Sequence, residues 1–177
     1  MRRLRPPVAL LALVLAGCAG LAPGYRDTSV PITSIVAFEP ARYAGRWYEV
    51  ARFPVPFEAG CAGVTADYTL LSDGSLGVVN TCREGVPDGP ARRISGRAVP
   101  SGPGRFQIGF DGLPFSGPYW VLWVDEGYRT AVVGLPSGRA GWILNRDPQI
   151  PADRLRAARE ILSWNGYDLT KLEMVRQ

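Results

Sequence analysis

The chain of 177 residues contains no histidine. Because His is the commonest general base and a frequent metal ligand, its absence excludes Ser-His-Asp catalysis, Cys-His catalysis and His-based zinc sites within this chain. Cysteine is scarce, with three residues, and 20 Lys and Arg oppose 16 Asp and Glu, so neither charge dominates. The length suits one domain with a sizeable core. Nothing in the composition points to a metal or a cofactor, and we expect neither.

Long hydrophobic runs are also missing. Residues 8–16 form a nine-residue apolar run that follows three Arg, whereas a helix that spans a bilayer needs about 20 residues. Such a run is typical of a signal peptide. The tetrapeptide Leu-Ala-Gly-Cys at 15–18 resembles the lipobox of bacterial lipoproteins. This resemblance implies that residues 1–17 are a lipoprotein signal peptide and that Cys18 is the lipid attachment site, and a plain secretory signal with an incidental Cys is the alternative.

Removal of this leader changes the charge of the chain. Three Arg leave with it, so 17 Lys and Arg face 16 Asp and Glu in the mature protein, for a net charge of +1. No basic patch remains to bind nucleic acid, and we expect no nucleic-acid partner. Residues 18–37 are rich in small and polar residues, which predicts a lipidated tether. Ala19 after the acylated Cys18 implies a protein anchored in the outer membrane and facing the periplasm.

The other two cysteines are Cys61 and Cys82. The expected compartment is oxidising, and paired Cys in such compartments usually form a disulfide. Both lie toward the same end of a predicted hairpin, on neighbouring strands. Zinc needs more ligands than two Cys provide, and a nucleophilic Cys would have no His base. We therefore predict a structural disulfide between them.

Turn residues divide the rest of the chain into short strands. The sequence contains 21 Gly and 16 Pro, and between the turns apolar residues alternate with polar ones, as in half-buried strands. Eight strands with short connections predict an all-β fold, an antiparallel up-and-down barrel. The predicted strands are 45–53, 63–71, 76–82, 91–99, 105–110, 118–125, 128–135 and 139–146.

The period changes after the eighth strand. Residues 151–164 carry apolar side chains at helical spacing, with Pro at the start and Asn-Gly at the end. We predict one C-terminal α-helix packed outside the barrel, over the strand at 119–124, and a short final strand within 169–175. The presumed outer face carries Thr65, Asp67 and Arg93, so the apolar side of the barrel faces inward rather than toward lipid.

Three motifs resemble the signatures of the lipocalin family. Gly-Arg-Trp-Tyr-Glu at 45–49 resembles the first signature, 124–129 the second, and Trp-Ile-Leu-Asn-Arg at 142–146 the third. The resemblance spans residues 38–177, which we take as the lipocalin domain. It is strongest to the bacterial lipoprotein lipocalins (outer membrane lipocalins), with apolipoprotein D and the plant temperature-induced lipocalins as related groups. The structural signature residues are then Gly45, Trp47, Asp125 and Arg146.

This resemblance implies a carrier of a small hydrophobic ligand, a fatty acid or lysophospholipid, that serves lipid storage, transport or envelope maintenance. Trp47 and Arg146 are expected to close one end of the barrel through a cation–π contact. Tyr68, Asn80 or Tyr119 would then bind the polar head of the ligand. The expected ligand-binding residues of the barrel interior are Ala66, Tyr68, Leu70, Val78, Asn80, Ile94, Phe106, Ile108, Phe110, Tyr119, Trp123, Trp142 and Leu144.

Several alternatives stay open at this point. The interior residues either line a real cavity or simply pack a narrow core, and the strand at 119–124 is apolar on both faces, so its inward face is undecided. An enzyme would need Glu49 or Tyr68 as its acid or base, and no pair of carboxylates stands out. A structural envelope lipoprotein would instead bind a protein partner through the loops at 54–60, 84–90 and 111–117. In the last of these, Leu113 and Phe115 are candidates for contact with membrane or ligand.

Overall fold

The computed structural model describes residues 24–177. The predicted signal peptide, residues 1–17, and the predicted lipid acceptor Cys18 lie outside the described residues. Within the described part of the chain, none of the helices has both the length and the hydropathy needed to cross a membrane.

In the described residues 24–177, nine strands form one antiparallel sheet. The first strand pairs with both the second and the eighth, which closes the sheet into an eight-stranded barrel, and the ninth adds to the outer edge of the first. The predicted all-β barrel with a short final strand is therefore confirmed. The strands are β1 Gly45–Arg52, β2 Cys61–Leu70, β3 Leu76–Glu84, β4 Ala91–Gly102, β5 Arg105–Phe110, β6 Ser116–Val124, β7 Thr130–Gly134, β8 Gly141–Asn145 and β9 Glu173–Met174.

Two α-helices and two single 3₁₀ turns accompany the barrel within the part of the chain that the structure describes. Helix α1 spans Pro40–Tyr43 and helix α2 spans Ala152–Trp164, while the 3₁₀ turns are Pro56–Glu58 and Leu169–Lys171. Because the strands are antiparallel, their connections alternate between two ends. We call the end with α1 and the hairpins β2–β3, β4–β5 and β6–β7 the closed end. The open end carries the connections β1–β2, β3–β4, β5–β6 and β7–β8.

Helix α2 covers the outer wall of the barrel, as predicted. Its buried Ala158 and Leu162 belong to one apolar cluster with Leu122 on β6, Val132 on β7 and Ile143 on β8. A second cluster fills the inside of the barrel. The barrel therefore has a dry layer beneath the helix that is separate from its interior, which explains why the β6 sequence is apolar on both faces.

Residues 24–37 lie along the barrel and do not extend away from it. Arg26 donates hydrogen bonds to the carbonyls of Asn165, at 2.9 Å, of Pro136, at 2.8 Å, and of Val30. Further along, the Ile35 N–H donates to the Val121 carbonyl at 2.9 Å. The expected tether at 18–37 therefore needs correction: its last part is bound structure, because buried hydrogen bonds hold it to the domain.

Cys61 and Cys82 form the predicted disulfide. Their Cα atoms are 5.3 Å apart, and the bond joins β2 to β3 across 21 residues. Closing a loop of this length stabilises a fold by about 3 kcal/mol, mainly by restricting the unfolded chain. The bond lies at the open end, where each strand would otherwise be held by the hydrogen bonds of its neighbours alone.

Candidate functional site

Trp47 and Arg146 close one end of the barrel. The Trp47 side chain is fully buried, and its Nε1 donates to the Tyr43 carbonyl at 2.8 Å. The guanidinium carbon of Arg146 lies 3.9 Å from the centre of the Trp47 ring, so the expected cation–π contact is present. The same guanidinium donates to the backbone carbonyls of Arg42, Ala44, Arg46 and Tyr128. This single side chain therefore ties α1, β1 and the β6–β7 turn together.

The other two signature residues also have structural roles. Gly45 has a φ of +98°, and a Cβ at this position would lie 3.2 Å from the Arg146 Nη1 atom, so both the backbone and the space favour glycine. Asp125 accepts hydrogen bonds from the Thr130 N–H, at 2.7 Å, and from the Arg129 Nε, at 2.9 Å. Burial acts to raise the pKa of Asp125, but these hydrogen bonds lower it overall. Asp125 is therefore the anionic centre of the β6–β7 turn.

Three tyrosine hydroxyls form a buried row inside the barrel. Tyr119 lies between the other two, with its hydroxyl 2.8 Å from that of Tyr43 and 2.7 Å from that of Tyr68. Burial is the main cause that raises the pKa of all three phenols above the usual value. The three hydroxyls therefore stay protonated at neutral pH and satisfy one another by hydrogen bonds. They add a polar layer to an otherwise apolar interior.

The strand register places most of the predicted lining residues on the inner face. Opposite residues of an antiparallel pair share a face, and the chain of partners runs from Tyr68 through Val78 and Gly96 to Phe110. Leu144 pairs with Ala131, and both belong to the interior cluster. The predicted residues that the pairing or the interior cluster places inside are Ala66, Tyr68, Val78, Asn80, Ile94, Phe106, Ile108, Phe110, Tyr119, Trp142 and Leu144.

Two predicted lining residues need correction. A register shift between Val121 and Trp123 on β6 leaves Val121 inside and places Trp123 in the outer cluster beneath α2. A β-bulge adds one residue to a strand and reverses the alternation beyond it, which period-two reasoning does not foresee. Leu70 shares the inner register through its partner Leu76, but it lies at the rim of the closed end and is 41% exposed.

A second bulge gives β1 two inward charged residues. The register shifts between Glu49 and Ala51, so Glu49 pairs with the interior Leu144 and Arg52 pairs with Trp142. Strict alternation from Trp47 predicts Glu49 inside and Arg52 outside. Sequence reasoning raised Glu49 only as a possible catalytic group and missed Arg52, because no turn residue marks the bulge.

Glu49, Arg52 and Glu58 meet near the open end, and we call them the polar cluster. The Arg52 Nη1 lies 3.2 Å from the Glu49 Oε1 and 4.0 Å from the Glu58 Oε2. Trp142 donates from its Nε1 to the Glu58 Oε2 at 3.2 Å. The three charged side chains are between 7% and 12% exposed. Glu58 reaches them from the β1–β2 connection, so this loop contributes directly to the interior.

The two carboxyl groups of the polar cluster hold protons more tightly than usual. Burial raises the pKa of Glu49 well above its ordinary value, and the neighbouring Glu58 raises it further against the effect of Arg52. Burial also raises the pKa of Glu58, against its hydrogen bond with Trp142. Adjacent buried carboxyl groups share a proton, because ionising both is unfavourable. Arg52, beside both acids, offsets the negative charge that they carry when ionised.

The half of the barrel nearest the closed end is packed, whereas the other half is open. Side chains such as Trp47, Phe106 and Leu76 are almost fully buried. Inward-facing Ile94, by contrast, is 37% exposed, although its cross-strand neighbours also face the interior. Three more inner-face residues in the open half are partly exposed, namely Asn80, Phe110 and Trp142. Solvent therefore reaches these inner-face residues from the open end.

Asn80 supplies one unsatisfied polar atom within this open half. Its Oδ1 is buried and accepts no hydrogen bond from any described residue. A buried carbonyl oxygen without a donor costs about 1–3 kcal/mol. This atom is therefore a favourable acceptor for a donor group on a bound molecule or for an ordered water.

A groove of about 360 Å³ also lies on the outside of the barrel, across the outer faces of β1, β2 and β3. Its walls are mostly polar and include Arg46, Thr65, Asp67 and Thr81. Ligand sites for apolar molecules are concave and largely apolar, so this groove does not fit such a molecule. Among residues 24–177, no group of three or more Cys, Asp and Glu is placed to hold a metal ion.

The domain matches a known family. A family model for the lipocalin-like domain matches residues 38–177. The protein belongs to the lipocalin family. Lipocalins of this kind are ligand-binding carriers and are not enzymes.

Individual relatives support the bacterial lipoprotein subgroup that the motifs indicate. This lipocalin is 36% identical over 175 residues to the outer membrane lipoprotein Blc of Escherichia coli K12, a match that covers 95% of this chain and 97% of Blc. It is 32% identical over 186 residues to apolipoprotein D of Oryctolagus cuniculus, covering 97% and 96% of the two chains. The expected resemblance is therefore confirmed.

Solved structures agree on the fold. Insecticyanin from the tobacco hornworm Manduca sexta superimposes on this lipocalin with a TM-score of 0.68 and 18% identity, covering 88% of this chain and 87% of that one. At this identity the likeness concerns the barrel and its helix alone.

Proposed function

We propose that this protein is a membrane-anchored lipocalin that binds one small hydrophobic ligand, a fatty acid or a lysophospholipid, in the open half of its barrel. The observation that carries the proposal is the division of the interior into a packed closed half and a solvent-accessible open half. Eight strands leave an interior wide enough for one small ligand. The open half therefore offers the one part of the interior that an acyl chain can enter without repacking the core.

The ligand's apolar and polar parts have separate places in this proposal. Ile94, Phe110 and Trp142 supply apolar contact for the acyl chain from different strands. The polar cluster and the Asn80 Oδ1 supply hydrogen-bonding groups for the head of the ligand. Ligand sites commonly combine an apolar wall with a few polar groups that fix orientation.

We also propose that the protein is anchored through acylated Cys18 to the outer membrane, facing the periplasm. The support is the lipobox-like sequence together with relatives named as outer membrane lipoproteins. An anchored carrier with an apolar site suits lipid storage, transport or maintenance of the cell envelope. Its partners in this proposal are the ligand and the membrane.

A fluorescence titration tests the site. Delipidated full-length protein is titrated with a long-chain fatty acid and, separately, with a lysophospholipid. We expect saturable quenching of tryptophan fluorescence by at least one of them. The Trp142→Phe variant should lose most of this change, because Trp142 lies in the open half. The matched Trp164→Phe variant, which removes an exposed Trp on α2, should keep it. Absence of saturable binding to either ligand would contradict the proposal.

A further inference from the structure

We propose that the open end of the barrel docks against the lipid bilayer that holds the anchor, so that ligand passes directly between the periplasm-facing leaflet of that bilayer and the barrel. This inference rests on the proposed function, because it assumes the anchor at Cys18. It adds the orientation of the protein and a membrane-contact surface. The surface, which we call the mouth surface, consists of Phe57, Val86, Leu113, Phe115 and Trp164.

The exposed aromatic side chains gather at one end of the barrel. Among residues 24–177, three aromatic residues are exposed: Phe57 and Phe115, each 68% exposed, and Trp164, at 71%. Phe57 lies in the β1–β2 connection and Phe115 in the β5–β6 connection, both at the open end. Exposed Val86 and Leu113 lie in connections at the same end. Apolar residues grouped in this way mark an interaction surface, unlike single exposed residues.

Trp164 belongs to the same end, although it lies on the outer helix. It is the last residue of α2, and the carbonyl of the next residue, Asn165, accepts a hydrogen bond from Arg26. Arg26 also donates to Pro136 in the β7–β8 connection, which is at the open end. Tryptophan is the side chain most suited to the membrane–water interface, because it combines an apolar ring with a polar N–H.

The chain also reaches the barrel at the open end. The Tyr25 N–H donates to the Gly138 carbonyl at 2.6 Å, which places the start of the described chain beside the β7–β8 connection. Only five residues, 19–23, separate Cys18 from Gly24, so six residue steps join them. Fully extended, a link of this length spans about 20 Å.

This short reach decides which end faces the membrane. The longest strand, β4, has 12 residues, and at the usual rise and tilt it gives a barrel about 30 Å tall. A link of about 20 Å places the open end at the surface without strain. The link is too short to run the height of the barrel, so the closed end cannot face the membrane while Cys18 is anchored in it. The lipid anchor and the mouth surface therefore point to the same bilayer.

Docking in this orientation explains how an insoluble ligand reaches the site. The polar cluster and Ile94 lie behind the mouth surface, in the open half. An acyl chain that leaves the bilayer through this opening avoids transfer through water, which costs about 0.8 kcal/mol for each CH₂ group.

The orientation is tested with full-length protein in vesicles of dioleoylphosphatidylcholine, in which a fraction of the lipid is replaced by acyl-brominated phosphatidylcholine. Bromine quenches nearby tryptophan. Four single variants report on position: Phe57→Trp and Phe115→Trp at the mouth surface, and Val36→Trp and Val99→Trp at exposed positions of the closed end. The native tryptophans are common to all four variants, so a lipid bound inside the barrel changes them equally.

We expect bromine to quench the two mouth reporters and to leave the two closed-end reporters at the level of the unaltered protein. Stronger quenching at Val36→Trp or Val99→Trp, or no difference between the pairs, would overturn the proposal. A second measurement follows transfer of a fluorescent fatty acid from the vesicles. Phe57→Ser combined with Phe115→Ser should slow transfer about tenfold, whereas Val36→Ser combined with Val99→Ser should not.

The two proposals fail in different ways. If the protein binds no fatty acid or lysophospholipid in solution, the proposed function is wrong, whatever the reporters show. If solution binding is intact and the mouth variants transfer ligand at the normal rate, the docking surface alone is wrong. Equal affinity of the mouth variants and the unaltered protein in solution ensures that a slower transfer reflects docking.

Discussion

Single residues at the closed end hold several elements at once. Arg146 stacks on Trp47 and donates to five backbone carbonyls from three parts of the chain, the fifth being that of Tyr43. Hydrogen bonds from a charged donor contribute about 1.5–3 kcal/mol each when the partner is buried. The half in which we propose that the ligand binds lies at the other end of the barrel. Stability and binding therefore depend on different residues.

Arg146→Ala should lower the free energy of unfolding by about 2–4 kcal/mol, since it leaves several carbonyls without donors. Ligand affinity of the folded protein should stay within about twofold. Chemical denaturation measures the first and fluorescence titration the second. Arg139→Ala, at an exposed position of the β7–β8 connection, is the matched control. An unchanged unfolding midpoint for Arg146→Ala would sink this assignment.

Glu49 gives the interior a dependence on pH. Burial raises its pKa above that of the unfolded chain, so the native state binds more protons than the unfolded state in the range between the two values. Stability is then greatest below the ordinary pKa of Glu and falls as the pH rises through the raised value. Glu49→Gln should remove this fall, because the amide mimics the protonated acid. Between pH 4 and 8, the unfolding temperature of the variant should change less with pH than that of the unaltered protein. An equal dependence on pH in both proteins would contradict the raised pKa of Glu49.

The roles of the signature residues could be predicted from the sequence, whereas the polar cluster could not. Trp47, Arg146 and Asp125 stand in recognisable motifs, and their contacts follow from the roles those motifs imply. Glu49 and Glu58 are separated by a bulge, a proline-rich turn and a 3₁₀ turn. Their meeting depends on the path of a loop, and no local pattern encodes that path. The inward position of Arg52 was not predictable either, because it depends on a bulge in β1 that no turn residue marks.

At the scale of elements, two bulges change which residues face the barrel interior. One in β1 turns Arg52 inward, and one in β6 turns Trp123 outward beneath α2. All eight barrel strands were predicted from alternation and turn residues, because these signals are local. The bulges were not predicted. A single extra residue leaves the period of two intact on each side of it and only exchanges which face of the strand points inward. Period-two reasoning therefore located the strands but misassigned Trp123.

Substitutions on the outer and inner faces of the barrel should affect stability and ligand binding separately. Trp123→Ala should destabilise the protein by about 3 kcal/mol, since it opens a cavity beneath α2, and leave ligand affinity unchanged. Ile94→Ala should weaken affinity by about tenfold through lost apolar contact, with little effect on stability because Ile94 is partly exposed. Denaturation and titration on the same samples check both. A loss of affinity in Trp123→Ala with normal stability would place Trp123 in the site after all.

At the scale of the whole molecule, the protein has two unlike ends. The closed end is held by Arg146 and has a packed interior, whereas the open end carries the polar cluster, the disulfide, the exposed aromatic residues and the N-terminal link. The sequence predicted a free tether at 18–37, because its composition lacks periodicity. The structure binds residues 24–37 along the barrel through contacts with distant residues such as Asn165. Because residues 24–37 are bound to the barrel, only a short link remains between Cys18 and the domain. In our proposal this short link orients the open end toward the membrane.

The central claim is that the open half of the barrel holds a lipid. A native mass spectrum of the full-length protein, extracted gently from the membranes of its own cells, tests this claim most directly. The account predicts a mass increase of one fatty acid or lysophospholipid on each chain, which is lost on delipidation and restored by adding the same lipid. A spectrum with the bare acylated chain alone, together with no uptake of either lipid on addition, would contradict it.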